Sequence, residues 1–374
     1  MQAVDPALAN LVDQVRAARA AKRGLAIRGG GTKDFYGEAL HGEPLDVRAL
    51  AGISSYEPTE LVVTVRAGTP LATLEQTLAE QGQCLAFEPP RLGSGSMAGG
   101  AAPQSGTVGG MVAAGLAGPS RAAAGSVRDH VLGATLLNGK AEVLSFGGQV
   151  IKNVAGYDVS RVLAGSLGVL GVICEVSLKV LPLAPASTTL RFEMAQAPAL
   201  AQLNAWGGQP LPIHASAWWN GMLVLRLAGA RAAVQSAVTK LGGERVAPDL
   251  DTAFWNGLRD QHDEFFTSAA RALDSGATLW RIGLPQTAPA LVLSGEQLVE
   301  WGGAQRWLCS AVPAAQVRAT VAAAGGHATL YRGHDRSAGV FMPLTPPLVR
   351  IHRDLKAAFD PERVFNRGRL YADL

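Results

Sequence analysis

The sequence predicts an α+β protein with two domains, and three observations lead to this prediction. A chain of 374 residues has the length of two domains or one large one. Short β-rich runs, glycine-rich loops and helical stretches alternate in its first half, whereas residues 188–246 follow the order βαββαβ of a ferredoxin-like fold. All seven tryptophans lie between Trp206 and Trp307, so the composition changes near residue 183. The predicted divisions are a first domain over 1–182, a ferredoxin-like α/β cap domain over 183–345, and a C-terminal helix and tail over 346–374.

Composition and charge argue against several classes of protein. Hydrophobic residues make up 48% of the chain, which is enough for a large core. The net charge is only +3 and the basic residues are scattered, so nucleic acid is not an expected partner. Cys84, Cys174 and Cys309 lie far apart without CxxC spacing, which favours a reducing, cytoplasmic compartment.

We expect no segment of this sequence to insert directly into a membrane. Residues 1–24 lack the apolar centre of a signal peptide. The most apolar later stretch, residues 166–183, contains Glu175 and Lys179 and therefore indicates a strand.

The first domain is predicted to begin with an amphipathic helix over residues 7–21, which Gly24 ends. A strand over 25–27 then leads into the loop Arg28-Gly29-Gly30-Gly31-Thr32-Lys33. Residues 61–65 form another strand, and a helix is predicted over 71–81, with Thr69 as its N-cap and Pro70 in its first position.

The loop of three consecutive glycines is the feature around which the chain is organised. Without Cβ atoms, its backbone N–H groups can turn toward one anion, as in the nests that hold phosphate oxygens. Arg28 and Lys33 add positive charge on either side. A plain turn is the alternative interpretation of one glycine run, but two further glycine-rich blocks follow in the chain.

The second block, residues 89–125, consists mostly of Gly, Ala, Ser and Pro. A flexible linker is one interpretation, but the ordered spacing over 106–115 favours backbone that packs directly on a flat ligand. A Rossmann dinucleotide site is poorly supported, because no GxGxxG opens a helix with an acidic residue about twenty positions later.

The remaining elements follow from periodicity and turn residues. A hairpin is predicted over 131–146 around Asn138-Gly139, and a third glycine-rich block over 165–171 precedes a strand over 172–180. In the cap, the predicted strands are 188–194, 213–218, 222–227 and 244–246, and the predicted helices are 197–206 and 230–241. A weaker strand–helix repeat covers 278–331, and a last helix covers 346–359.

Six motifs in order resemble the FAD-binding fold of the vanillyl-alcohol oxidase/PCMH superfamily: RGGGTK, SGTVGGMVAAG, GSVRDHVLG, KNVAGYD, GSLGVLGVI and FDPERVFNRGR. Within it, the chain is similar to the FAD-binding (E) subunits of bacterial glycolate oxidases. The resemblance covers residues 25–182 and the C-terminal tail, whereas 183–340 match mainly by length and layout. It implies a PCMH-type fold of two subdomains followed by the ferredoxin-like cap.

The resemblance also implies which residues hold the cofactor FAD. The diphosphate would lie against the backbone N–H groups of Gly29, Gly30, Gly31 and Thr32. The diphosphate and the flavin face would be lined by Thr107, Gly109, Gly110 and Ala113, beside a turn at Gly118. The adenosine side would be held by Gly168, Gly171 and Ile173, and the tail would return to the flavin at Asn366.

Two departures from the family pattern affect these expectations. Covalent members attach flavin through a His in the first loop or a Cys in the second, but here those loops carry Thr32-Lys33 and Ser105-Gly106-Thr107. We therefore expect non-covalent FAD. The family usually has Asn-Pro-Gly in the tail, whereas this chain has Asn366-Arg367-Gly368, which restores a backbone N–H and adds a charge.

Oxidation of a 2-hydroxy acid requires a base for the hydroxyl proton and a cation for the carboxylate. The catalytic candidates beside the flavin ring are Lys152, Tyr157 and Asp158. A helical pair with Arg161 is the alternative role of Asp158. The His-rich metal motif of D-2-hydroxy-acid dehydrogenases is missing, so we expect no metal; His327 and His334 have only Asp335 as a nearby acid.

Three functions are compatible with these features. The resemblance implies a glycolate oxidase subunit that oxidises glycolate and D-lactate, with a larger FAD-containing catalytic subunit and an iron–sulfur subunit as partners. The alternatives are a self-sufficient FAD-dependent 2-hydroxy-acid dehydrogenase and a non-catalytic subunit that holds flavin or relays electrons. We expect a cytoplasmic protein whose association with the inner membrane, if any, comes through partner subunits.

Overall fold

The computed structural model describes residues 5–93, 106–148 and 158–374. In the first domain its helices and strands are α1 (Pro6–Ala20), β1 (Leu25–Arg28), β2 (Glu43–Asp46), β3 (Ile53–Glu57), β4 (Val62–Arg66), α2 (Leu71–Glu80), β5 (Gln83–Cys84), α3 (Val108–Ala114), α4 (Arg121–Ala124), α5 (Val127–His130), β6 (Val131–Leu137), β7 (Val143–Gly147), α6 (Val159–Val162), β8 (Val172–Lys179) and β9 (Leu181–Pro182). These elements confirm the predicted fold of mixed helices and sheets.

In the described part of the first domain, two of the three sheets define two subdomains, and the third is the short pair β5-β9. One is antiparallel, in the order β3-β4-β8-β6-β7, and α2 and α3 bury Leu74, Leu78 and Met111 against it. The other is the parallel pair β1-β2, against which α1 packs through Leu11 and Val15, one turn apart on the same face. The glycine loop begins where β1 ends, between the two subdomains.

The C-terminal segment folds back onto this domain. After α12 (Pro346–Phe359), the backbone pairs with β1: Leu25 donates to the Val364 carbonyl and Asn366 donates to the Leu25 carbonyl. A fully buried ion pair fixes the turn between helix and tail, with 2.8 Å between Lys356 Nζ and Asp360 Oδ2. Lys356 also donates to the Val169 and Phe365 carbonyls, so it ties the tail to the turn before β8.

The cap contains β10 (Ala186–Glu193), α7 (Gln196–Gly207), β11 (Ile213–Trp219), β12 (Met222–Gly229), α8 (Arg231–Leu241), β13 (Glu244–Arg245), α9 (Pro248–Asp260), α10 (Glu264–Asp274), β14 (Thr278–Gly283), β15 (Glu296–Glu300), β16 (Gln305–Ser310), α11 (Ala314–Ala323) and β17 (His327–Arg332). All eight strands form one sheet, in the order β13-β10-β12-β11-β15-β16-β14-β17. The sheet has two halves, β10–β13 and β14–β17. When the four strands of each half are numbered 1 to 4 in chain order, both halves have the ferredoxin-like order 4-1-3-2. The halves join where β11 pairs with β15. The weaker repeat over 278–331 is therefore a second ferredoxin-like half, in which residues 284–295 form a loop where the first half has α7.

One face of this sheet packs on the first domain. Leu167 and Tyr36 of the first domain share a hydrophobic cluster with Trp307 and Tyr331 of the cap. Polar contacts add to the apolar ones: Arg226 pairs with Glu88 at 2.7 Å, and Arg336 donates to the Phe35 carbonyl at 2.8 Å. The cap is thus fastened directly beside the loop that follows β1.

Two local predictions differ from the structure. Pro70, not Thr69, occupies the N-cap position of α2, because the Thr69 hydroxyl donates to the Arg66 carbonyl and accepts from Gly52 N–H instead. The β6–β7 hairpin closes through a five-residue loop, 138–142, in which the Asn138 side chain accepts from Glu142 N–H. Side chains thus fix both turns in ways that the local pattern did not indicate.

The buried pair in the tail leads to a stability prediction. Lys356→Met should lower the free energy of unfolding by about 3–5 kcal/mol, because it leaves the buried Asp360 carboxylate without its cation. The matched control Arg353→Met removes an exposed pair with Asp373 and should cost at most about 1 kcal/mol. Urea denaturation measures both, and equal losses would show that the buried pair does not anchor the tail.

Candidate functional site

A cleft of about 90 Å³ lies where the glycine loop, the start of α3, the turn before β8 and the tail meet. Four segments that are distant in sequence therefore converge at one place. The cleft is lined by Ile27, Arg28, Gly29, Gly30, Gly31, Thr32, Lys33, Asp34, Leu40, Thr107, Gly110, Ala113, Ala114, Leu167, Asn366 and Arg369.

The two glycine-rich segments approach so closely that side chains would block them. A Cβ on Gly29 would lie 2.4 Å from the hydroxyl oxygen of Thr107. A Cβ on Gly109 would lie 2.6 Å from the Cβ of Ala67, so Gly109 lies beneath the cleft instead of lining it. Gly31 has a φ of +72°, a conformation that glycine adopts without strain.

The glycine loop carries backbone donors that no described residue uses. The N–H groups of residues 29–33 donate to no acceptor within the described ranges. Polar groups that are withdrawn from water usually have partners, so these donors are available to a ligand. Arg369 braces the loop from the tail, since its guanidinium donates to the Asp34 and Lys33 carbonyls at 2.9 and 3.2 Å.

The two basic side chains at the cleft differ in whether an acidic side chain neutralises them. Arg28 forms an ion pair with Asp34 at 2.6 Å, so part of its charge is already neutralised. Lys33 has no acidic partner among the described residues and only a long contact, 3.4 Å, with the Thr32 hydroxyl. Burial lowers the pKa of Lys33 to about 8. A diphosphate would supply the missing counter-charge, and the residues present therefore fit that group.

Asn366 connects the tail to both sides of the cleft. Its side-chain oxygen accepts from Ile27 N–H at 2.8 Å, and its side-chain nitrogen donates to the Leu167 carbonyl at 2.7 Å. Its φ of +43° is one that asparagine tolerates better than most residues. Arg367 points elsewhere, with its guanidinium on the Arg363 and Lys22 carbonyls.

Several expected site residues lie outside this cleft. Gly118 contacts Glu88, and its carbonyl accepts from the indole of Trp301 in the cap. Gly168 packs against the Asn366 side chain. Gly171 and Ile173 lie at the start of β8 beside β6, where main-chain contacts with adenosine stay a prediction.

The catalytic candidates are placed only in part. Lys152 and Tyr157 lie outside the described residues. Asp158 caps α6, accepting from Arg161 N–H and from the Ser160 hydroxyl, and it pairs with the Arg161 guanidinium at 2.9 Å. These contacts agree with the structural alternative for this carboxylate.

A second cavity, of about 660 Å³, lies between the first domain and the sheet of the cap. Arg121 and Arg281 enter it from opposite domains, and both lie over the indole of Trp301, with guanidinium carbons 4.5 and 5.4 Å from the ring centre. Sequence reasoning missed this site, because its residues lie far apart and belong to no motif. The concentration of tryptophan in the cap was the only signal that could have indicated it.

A buried hydrogen-bond network supports Arg281 from below. Arg281 Nε donates to the side-chain oxygen of Gln305 at 2.7 Å, and Gln305 donates to Glu300 at 2.9 Å. Glu300 also accepts from the Trp307 indole at 2.6 Å. Burial raises the pKa of Glu300 to about 7, because the charged carboxylate is unfavourable away from water.

Comparisons with known proteins agree with the cleft. Residues 8–147 match the model of a family described as an FAD binding domain. The chain is 46% identical over 364 residues to glycolate oxidase subunit GlcE of Escherichia coli (strain K12), and the match covers 97% of both chains. The chain belongs to the GlcE family. The predicted superfamily and its cofactor, FAD, are thereby confirmed.

More distant relatives share the FAD-binding part or the fold. A D-lactate dehydrogenase of Anaerostipes hadrus is 32% identical over 130 residues, which is 35% of this chain and 25% of that protein. A structure of alkyldihydroxyacetonephosphate synthase superimposes with a TM-score of 0.59 at 14% identity, covering 95% of this GlcE-family chain and 74% of the other. The latter likeness concerns the fold alone.

Neither a membrane-spanning helix nor a metal-ligand cluster is found in the described ranges. No helix there has the length and apolarity needed to cross a bilayer. Within the same ranges, no group of three or more His, Cys, Asp or Glu side chains could hold a metal ion.

The Lys33 ammonium, which has no acidic partner in the described part of the chain, leads to a prediction on pH. A diphosphate raises the pKa of a neighbouring ammonium, so FAD binding should take up protons once the pH exceeds about 8. FAD affinity of the wild-type chain should therefore fall as the pH rises from about 8 to 10. Lys33→Met should weaken FAD binding about tenfold at neutral pH and abolish this dependence.

Fluorescence titration of the apoprotein with FAD measures both effects. Lys240→Met, on the exposed surface of α8, is the matched control and should keep the wild-type pH profile. An unchanged profile in Lys33→Met would show that another group binds the diphosphate.

Proposed function

We propose that this chain is the FAD-binding subunit of a glycolate oxidase complex, which oxidises glycolate and D-lactate to the 2-oxo acids. The observation that carries the proposal is the 46% identity to Escherichia coli GlcE, which extends over both chains almost completely. The similarity to a D-lactate dehydrogenase in the FAD-binding part supports the same substrate class. FAD, when bound, accepts the two electrons that leave the alcohol carbon.

In this proposal, the chain's own backbone holds the cofactor. The N–H groups of Gly29, Gly30, Gly31 and Thr32 bind the diphosphate, and Lys33 balances its charge. Thr107, Gly110 and Ala113 line the same cleft from the other side. The loops offer no His or Cys that could attach the flavin, which supports non-covalent binding. The roles of Lys152 and Tyr157 as catalytic polar groups beside the flavin ring remain proposals.

The cysteines support the need for a partner that accepts electrons. A [4Fe–4S] cluster takes four thiolates, but the chain has three cysteines. Burial raises the pKa of Cys174 to about 12 and of Cys309 to about 11, so both are held as thiols. We therefore propose an iron–sulfur subunit and a larger flavin-containing catalytic subunit as partners.

All three thiols are free, which supports a cytoplasmic location, with any membrane contact made by the partners.

Anaerobic reduction by glycolate tests this function. The flavin of the isolated chain should keep its visible absorbance when glycolate is added, and it should lose that absorbance once both partner subunits are present. Full-rate bleaching of the isolated chain would instead indicate a self-sufficient 2-hydroxy-acid dehydrogenase. The double variant Gly30→Val, Gly31→Val, which blocks FAD uptake, should abolish turnover of the complex; retained turnover would indicate a subunit whose flavin takes no part in catalysis.

A further inference from the structure

The cavity between the domains has an unbalanced positive charge. Arg121, Arg128 and Arg281 line it, whereas Asp129 is its one acidic residue in the described ranges. That carboxylate is already engaged, because it accepts from the Ser126 N–H and hydroxyl at 2.7 and 2.8 Å. A cleft with excess cationic groups attracts anions.

Two of these arginines lack partners in a way that points to a ligand. No acceptor for the Arg121 guanidinium, and none for the terminal nitrogens of Arg281, occurs among the described residues. Burial and the nearby Arg281 lower the pKa of Arg121, and the charge of Asp129 offsets this only in part. Planar guanidinium groups with free N–H pairs match the geometry of a carboxylate.

The cavity is also built to hold these groups in place. The Trp301 indole lies under both guanidiniums and is itself anchored by donating to the Gly118 carbonyl at 2.9 Å. Trp301 has a φ of +54°, a strained conformation for a bulky residue, which recurs at functional sites. Gln305 and Glu300, each 4% exposed, fix the orientation of Arg281.

The cavity adjoins the FAD cleft through a thin wall. Ala113, Ala114 and Leu167 line the cleft, whereas Gly115 and Gly165, one or two residues away, line the cavity. The wall is the contact of α3 with the turn before β8, in which Leu167 N–H donates to the Ala113 carbonyl at 2.9 Å. An anion in the cavity would therefore lie beside the cofactor site.

We propose that Arg121 and Arg281 together bind the carboxylate of a small hydroxy acid in this cavity, with Trp301 as their common support. The identity of that acid as glycolate or D-lactate rests on the proposed function, whereas the carboxylate site itself does not. The site takes one arginine from each domain, so the GlcE-family chain itself binds the carboxylate, whereas reduction of its flavin still requires the partner subunits.

Isothermal titration of the FAD-loaded full chain with oxalate, a small carboxylate that has no alcohol to oxidise, tests this site. Arg121→Met and Arg281→Met should each weaken oxalate binding about tenfold or more, since each removes a charge-assisted contact. Arg350→Met, on an exposed position of α12, removes the same charge elsewhere and should bind as the wild type does.

Conservative variants, a folding control and a second anion complete this test. Arg121→Lys and Arg281→Lys should retain part of the affinity, and thermal unfolding should show that every variant compared is folded. Wild-type affinity in both folded Met variants would overturn the site, even if the complex oxidises glycolate. Tighter binding of inorganic phosphate than of oxalate would overturn the assignment to carboxylates. Loss of oxalate binding in the Met variants would support the site even if glycolate never reduces the flavin.

Discussion

Close approach of two glycine-rich backbone segments is the constraint on which the rest of this structure depends. Gly29 meets Thr107 at a distance that leaves no room for a Cβ, and Gly109, beneath the cleft, packs equally closely on Ala67. The contact brings main chain to the wall of the cleft, and within the described ranges the N–H groups of the first loop have no protein acceptor. An anionic dinucleotide suits such a cleft because amides can bind phosphate oxygens where side chains cannot fit.

The C-terminal tail stabilises this arrangement. Asn366 and Arg369 hold the glycine loop and the strand before it, and the buried Lys356–Asp360 pair holds the tail. The contacts of Asn366 with Ile27 and of Arg369 with Asp34 join residues that are more than three hundred positions apart in the chain, so the cofactor cleft is complete only when the whole chain has folded. The cap forms one side of the arginine-lined cavity beside the cleft.

Much of the fold follows from the sequence, because periodicity and glycine or proline punctuation act locally. The bounds of α12 agree with the prediction, and the strands of the first cap half are displaced by a few residues at most. The second cap half was harder to predict, since a loop replaces its first helix. The glycine loop was found because three adjacent residues carry its chemistry. Arg121, Arg281 and Glu300 were not found, because only the pairing of distant strands and the packing of the domains brings them together.

A crystal structure of the FAD-loaded chain tests the central claim most directly. The account predicts diphosphate oxygens about 3 Å from the N–H groups of residues 29–32, with Lys33 as their neighbour. A diphosphate located instead between Arg121 and Arg281 in the interdomain cavity would contradict it.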